Sequence, residues 1–100
     1  MIAVKKPLFE MGRVVATPGA LEALAKAGEA AWGLLSRHVV GDWGVVDEED
    51  AGANNEALRD GSRILSAYLL NDETKVWVIT EATDEHGKRA ATRLLLPEEY

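Results

Sequence analysis

The sequence has no cysteine among its 100 residues, and it has only three prolines and six aromatic side chains. Without cysteine there is no disulfide framework, no thiolate nucleophile and no cysteine-based zinc site. This composition fits a protein of the reducing cytoplasm, which is the location that we expect. The length is that of one ordinary domain, so we predict a single domain over residues 1–100.

Long apolar runs and clustered basic residues are also missing. Lys5 and Lys6 near the start are not followed by an apolar stretch of signal-peptide length, and no run approaches the length of a membrane span. The 11 basic residues are adjacent only at Lys5–Lys6 and Lys88–Arg89, whereas binding to nucleic-acid phosphates needs clustered Lys and Arg. We therefore expect neither a membrane nor a nucleic acid as a direct partner.

The net charge of −6 is concentrated in one segment. Residues 42–60 contain seven acids and one base, whereas the other 81 residues contain ten acids and ten bases. Asp47 is a candidate helix N-cap, and acids in the first turn after it would meet the positive end of the helix dipole. Capping thus explains part of the charge. The candidate interaction surface consists of Asp42, Trp43, Asp47, Glu48, Glu49, Asp50 and Glu56.

Trp43 stands between Asp42 and Gly44 in a turn-like tripeptide. Its indole could fill the core from a loop. It could instead be an exposed anchor for a partner, because tryptophan is enriched at interface hot spots. The sequence alone leaves both alternatives open.

The order of secondary-structure signals predicts an α+β fold. A short strand over residues 12–16 is followed by helices over 18–27, 29–40 and 47–60. Three strands over 62–70, 75–83 and 90–96 then form an antiparallel meander, separated by turn clusters of hairpin length. Both faces of the middle strand are apolar, so we expect helices on one face and either the first strand or a partner chain over part of the other.

Cap residues and spacing give the details of the helices. Thr17 is a good N-cap, Pro18 suits the first helical position, and Gly28 suits a helix end. We expect two apolar stripes to face the core, formed by Leu21 and Leu24 in the first helix and by Trp32, Leu35 and Val39 in the second.

No pattern of residues predicts a catalytic or metal site. His38 reads as a residue at the end of a helix that favours the dipole, His86 as an exposed turn residue, and Ser66 as a half-buried strand residue. The acidic run lacks the terminal glutamate of an EF-hand calcium loop. There is no phosphate-binding glycine loop. We predict no catalytic, cofactor-binding or metal-binding residues.

Several segments resemble a family of small, uncharacterised bacterial proteins that are often encoded on plasmids and integrated mobile elements. The resemblance covers nearly the whole chain. The segments are GDWG at 41–44, EED at 48–50, RILSAY at 63–68, KVWVITEA at 75–82 and LLPEEY at 95–100. Some members carry the label of a type I restriction-modification subunit, but this chain has no methyltransferase cofactor motif. The resemblance implies a mobile-element setting and supplies no catalytic residues.

Three functions follow as hypotheses. The first is a non-enzymatic protein-binding module whose partner is a protein with a basic surface or a second copy of the chain. The second is an anti-defence inhibitor whose carboxylates occupy the place of DNA phosphates. The third is a small enzyme, for which His38, Asp42 and Glu81 are the polar candidates although no spacing joins them.

Overall fold

The computed structural model describes residues 6–100 and has an α+β fold. No helix within these residues is long and apolar enough to cross a membrane. The final residues form a short 3₁₀ turn, Pro97–Glu99. The elements before it are β1 (Arg13–Ala16), α1 (Pro18–Ala27), α2 (Ala31–His38), α3 (Glu48–Asp60), β2 (Ile64–Leu69), β3 (Lys75–Thr80) and β4 (Ala91–Leu95).

The helix ends form where the cap residues predict. Thr17 accepts a hydrogen bond from the Ala20 amide to begin α1, and Asp47 accepts one from the Asp50 amide at 2.8 Å to begin α3. Gly61 ends α3 with a φ of 81°. A Cβ at that glycine would lie 2.3 Å from Thr83 Oγ1, so both the backbone angle and the close approach require glycine.

The sheet has four strands in the order β1-β4-β3-β2. β2, β3 and β4 form the predicted antiparallel succession, and β1 pairs in parallel with β4. The expectation of a three-stranded sheet is therefore corrected, and so is the alternative that the first strand covers part of one face. β1 extends the sheet at its edge and makes it mixed.

The helices cover one face of this sheet. Even-numbered strand residues such as Tyr68, Val78 and Leu94 pack with α1 and α2 in the main core cluster. Ile64 packs with Trp43 and with Ala57 of α3 in a second cluster. The odd-numbered residues Ala67, Ile79 and Leu95 are also buried but belong to neither cluster. We call their side of the sheet the open face.

Two predicted core residues lie outside the core. The side chain of Leu21 in α1 is 53% exposed and that of Trp32 in α2 is 68% exposed. α2 buries Leu35, as predicted, together with Leu34 and His38. Because these three residues define the inward side of α2, Trp32 falls on its solvent side at the helical period. The 3, 4 spacing identifies the helix and the position of Leu35, but the assignment of Trp32 to the core is wrong.

The two edges of the sheet differ. Beyond β2, the Val45 amide donates to Ala67 O at 2.7 Å and the Ala67 amide donates to Trp43 O at 3.1 Å. The side-chain amide of Asn54 donates to Leu65 O at 2.7 Å and accepts from the Leu65 amide at 3.0 Å. This edge is therefore closed by polar partners. In the described part of the chain, no strand lies beyond β1.

Candidate functional site

The acids of the candidate interaction surface are exposed, but several have partners. Asp42 pairs with Arg37, with Arg37 Nε 2.7 Å from Asp42 Oδ2, and Glu56 pairs with Arg59. Asp47 acts as the N-cap of α3, and its three following acids occupy the first turn. Helix capping and arginine pairing therefore explain most of this charge.

Trp43 is buried and fills the second core cluster. Its side chain is 7% exposed, and its Nε1 donates to Asn55 Oδ1 at 3.2 Å. The ring stacks on Phe9 with centroids 6.4 Å apart. Of the two alternatives, the core-filling one describes the structure, and Trp43 is not an exposed anchor.

A buried chain of polar side chains joins α2 to the sheet. His38 Nδ1 lies 2.6 Å from Ser66 Oγ, and His38 Nε2 lies 2.8 Å from Thr80 Oγ1. Thr80 Oγ1 in turn lies 2.7 Å from Thr92 Oγ1, which donates to Met11 O at 2.7 Å. His38, Ser66, Thr80 and Thr92 are each 0% exposed.

The carbonyl at the end of this chain fixes every proton in it. Thr92 uses its only hydroxyl proton on Met11 O, so Thr80 must donate to Thr92. His38 Nε2 must then donate to Thr80. In the neutral imidazole, Nδ1 is the acceptor of the Ser66 proton, so the neutral form is the Nε2–H tautomer.

Burial, with a smaller contribution from the positive charge of Arg89, lowers the pKa of His38 to about 4. A serine that donates to a neutral imidazole resembles a nucleophile with its base. However, neither Ser66 nor His38 has any exposed surface. The other two polar candidates have different partners, since Asp42 contacts Arg37 and Glu81 contacts Arg93. The structure thus does not join the three residues named for an enzyme.

Arg89 lines a cavity of about 420 Å³ that lies between the end of α3 and the turn before β4. Its guanidinium donates to the carbonyls of Ser62, Glu81 and Ala57 at 2.8, 2.9 and 3.0 Å. Ala57 lies in the last turn of α3, and its carbonyl also accepts the Gly61 amide at 2.9 Å, so Arg89 is a second donor to it. We therefore assign Arg89 a structural role at the end of this helix. Groups of His, Asp and Glu that could hold a metal ion are absent from residues 6–100.

The open face combines apolar and basic side chains. Leu69 of β2 is 47% exposed, and Val15 of β1, at the opposite edge of the sheet, is 37% exposed. Trp77 of β3 lies between these two edges and is partly exposed. The strand registers place Arg13 of β1, Lys75 of β3 and Arg93 of β4 on the same face. Arg93 Nε lies 3.4 Å from Glu81 Oε1 but makes no hydrogen bond. Arg93 is the only one of these three bases that has a carboxylate within 4.0 Å in the described residues.

The last residue packs on this face as well. The rings of Trp77 and Tyr100 meet edge to face with centroids 5.6 Å apart. Arg63 lies 5.6 Å from the centroid of the Tyr100 ring and donates to its hydroxyl. Tyr100 is 62% exposed, so the open face has a partly exposed aromatic centre.

The sequence predicts that both faces of β3 are apolar but does not identify this surface. The available signal was the alternation of side chains along each strand. It places Lys75, Trp77 and Ile79 on one face of β3, and Arg93 and Leu95 on one face of β4. Those residues share a face only once the strand register is known. Comparison of the chain with protein-family models, with curated proteins and with solved structures gave no match.

Proposed function

We propose that this protein is a non-enzymatic protein-binding module whose open face binds an acidic segment, with apolar side chains, of a partner protein. The observation that carries the proposal is the open face itself, a sheet surface with no α-helix over it. Val15, Leu69 and Trp77 are partly exposed on it among basic residues, while Ala67, Ile79 and Leu95 are buried. Apolar side chains exposed on one surface and rimmed by polar residues are typical of interaction sites.

Charge decides the chemistry of the partner. Arg13, Arg63, Lys75 and Arg93 lie around the apolar centre. Glu81 lies beside Arg93, and Glu98 and Glu99 precede Tyr100. A basic partner would be repelled here, whereas carboxylates would gain charge-assisted hydrogen bonds from the arginines. The sequence predicted a partner with a basic surface from the acids of residues 42–60, and the geometry favours the opposite charge.

A protein segment fits better than a nucleic acid. The whole chain carries a net charge of −6, which repels a long polyanion more strongly than a short acidic segment. Trp77 also packs edge to face against Tyr100, so the two rings do not form a row of stacking platforms for bases.

The anti-defence alternative has less support from the geometry. It needs carboxylates that are free to imitate phosphates. Asp42 and Glu56 are paired with arginines, and the remaining acids of the candidate surface are confined to the start of α3. Four acids on one helical turn are few beside the charge density of duplex DNA.

The test is a fluorescence anisotropy titration with a dye-labelled peptide in which Glu alternates with Leu. The unmodified protein is expected to bind it, with an affinity that falls as salt is added. A matched peptide of alternating Lys and Leu is expected not to bind. Absence of binding to the acidic peptide, or equal binding of both peptides, would contradict the proposal. Tighter binding of a single-stranded oligonucleotide would indicate a nucleic-acid partner instead.

Two matched pairs of variants locate the site. Leu69→Ser on the open face is expected to weaken binding several-fold, whereas Leu21→Ser on α1 is not, although both leucines are about half exposed. Lys75→Glu is expected to weaken binding more than Lys26→Glu on α1, which changes the net charge equally. Equal effects within either pair would place the binding site elsewhere.

A further inference from the structure

We propose that two copies of this chain form a symmetric dimer by antiparallel pairing of their β1 strands, with Val15 of both copies on the two-fold axis. The dimer would join two four-stranded sheets into one. This interface lies at the sheet edge, so the proposal does not depend on the ligand of the open face.

The outer edge of β1 carries backbone hydrogen-bonding groups that point away from the sheet. The amides of Arg13 and Thr17 donate to Ala90 O and Leu94 O, both at 3.0 Å. Since successive residues of a strand point their backbone groups to opposite sides, Val14 and Ala16 direct their N–H and C=O groups away from β4. No strand of the described chain lies on that side.

Within the part of the chain that the structure describes, the β1 edge is protected only by its short length and by the charge of Arg13. Natural sheet edges are covered or carry charges, prolines or bulges that prevent pairing. The β2 edge is closed by the backbone of residues 43–45 and by the Asn54 amide. At the β1 edge, Val14 and Val15 are instead 42% and 37% exposed, and they are β-branched residues that favour strand pairing.

The outer edge of β1 is complementary to itself in one register of antiparallel pairing. Placing Val14 opposite the partner's Ala16 makes a hydrogen-bonded pair, and the two-fold axis repeats it. The two pairs supply about four hydrogen bonds. Val15 then faces the partner's Val15 in the close, non-hydrogen-bonded position, where an apolar pair is favourable.

Charge supports the same register. Arg13 lies opposite the partner's Thr17, so the two Arg13 side chains do not face each other. Within each copy, Thr17 Oγ1 donates to Glu99 Oε1 at 2.5 Å, and this bond lowers the pKa of Glu99 and keeps it ionised. Each Arg13 therefore approaches a carboxylate of its partner.

Pairing in this way leaves both open faces on the same side of the joined sheet, because directly opposite residues in an antiparallel pair point the same way. The dimer would thus present two copies of the binding surface side by side. A partner with two acidic segments would gain from binding both at once.

The test is sedimentation velocity over a range of concentrations. The unmodified protein is expected to show a concentration-dependent dimer. Val15→Lys places two ammonium groups opposite each other at the axis, and it is expected to shift the protein to monomer. Val45→Lys is the matched control, since Val45 is 51% exposed at the opposite edge, and it is expected to dimerise normally.

A second variant and a second measurement distinguish loss of the dimer from loss of the fold. Val14→Pro removes an outward N–H without removing a β1–β4 hydrogen bond, and it is expected to weaken the dimer while retaining the circular dichroism of the fold. Hydrogen exchange at the amides of Val14 and Ala16 is expected to slow as the protein concentration rises. A monomer at all concentrations, or a dimer that survives both Val15→Lys and Val14→Pro, would overturn the proposal.

Discussion

The imidazole Nε2 of His38 donates to Thr80 Oγ1 across 2.8 Å in the fully buried interior. This bond joins the last residue of α2 to the last residue of β3. It belongs to a chain of hydrogen bonds in which every buried donor has an acceptor, which is the condition for a polar group in a core to be tolerated. The neutral form of the histidine is therefore part of the packing between helix and sheet.

The first prediction concerns the pH dependence of stability. The pKa of His38 is about 4 in the folded protein against an ordinary 6.5. Between these values the unfolded chain binds the proton and the folded protein does not, so the free energy of unfolding falls as the pH is lowered from 6.5 to 4. The difference corresponds to about 3 kcal/mol over the whole window. Urea unfolding at a series of pH values measures it.

The two histidines provide the control for this prediction. His86→Gln, in an exposed turn, is expected to keep the loss of stability between pH 6.5 and 4.5. His38→Gln is expected to remove most of it, whatever its effect on stability at neutral pH. A loss of the same size in both variants would show that other groups cause it.

The second prediction concerns Asn54, whose side chain makes two hydrogen bonds with the backbone of Leu65. Asn54→Asp turns the donating NH₂ group into an oxygen that faces Leu65 O, so we expect a loss of about 1–3 kcal/mol in unfolding free energy. Asn55→Asp makes the same chemical change one residue later. There the side chain only accepts from Trp43 Nε1, which a carboxylate also does, and we expect little change. Equal losses would contradict the role of the Asn54 pair.

The third prediction concerns Arg89, which bridges three backbone carbonyls from Ala57, Ser62 and Glu81. Lysine lacks the planar fork that reaches all three, so Arg89→Lys loses charge-assisted hydrogen bonds to these carbonyls and is expected to cost about 2–4 kcal/mol. Arg59→Lys at an exposed ion pair with Glu56 is expected to change stability by no more than about 0.5 kcal/mol. Thermal unfolding of both variants compares the two arginines, and a tolerated Arg89→Lys would show that the bridge is dispensable.

Features that depend on neighbours in sequence could be predicted. The caps at Thr17 and Asp47 and the helix ends at Gly28 and Gly61 are confirmed, because a helix end is decided within one turn of the chain. The succession of β2, β3 and β4 is confirmed for a similar reason, since short turns bring consecutive strands together.

Features that depend on residues far apart in the sequence could not be predicted. The parallel pairing of β1 with β4 joins residues almost eighty positions apart, and no local signal records it. Periodicity places Trp32 in the core wrongly, because it gives a stripe but not the side on which a sheet will pack. The roles of His38 and Ser66 depend on a contact across 28 positions. The open face could not be predicted for the same reason, because its basic and apolar residues come from four strands.

The most direct test of the central claim is a chemical-shift map of the protein titrated with the Glu/Leu peptide. The account predicts that the largest amide shifts fall at the odd-numbered residues of β2, β3 and β4, together with the indole N–H of Trp77. It predicts little change in the first turn of α3. Shifts concentrated at Glu48, Glu49 and Asp50, or in the helix layer, with the open face unchanged, would contradict it.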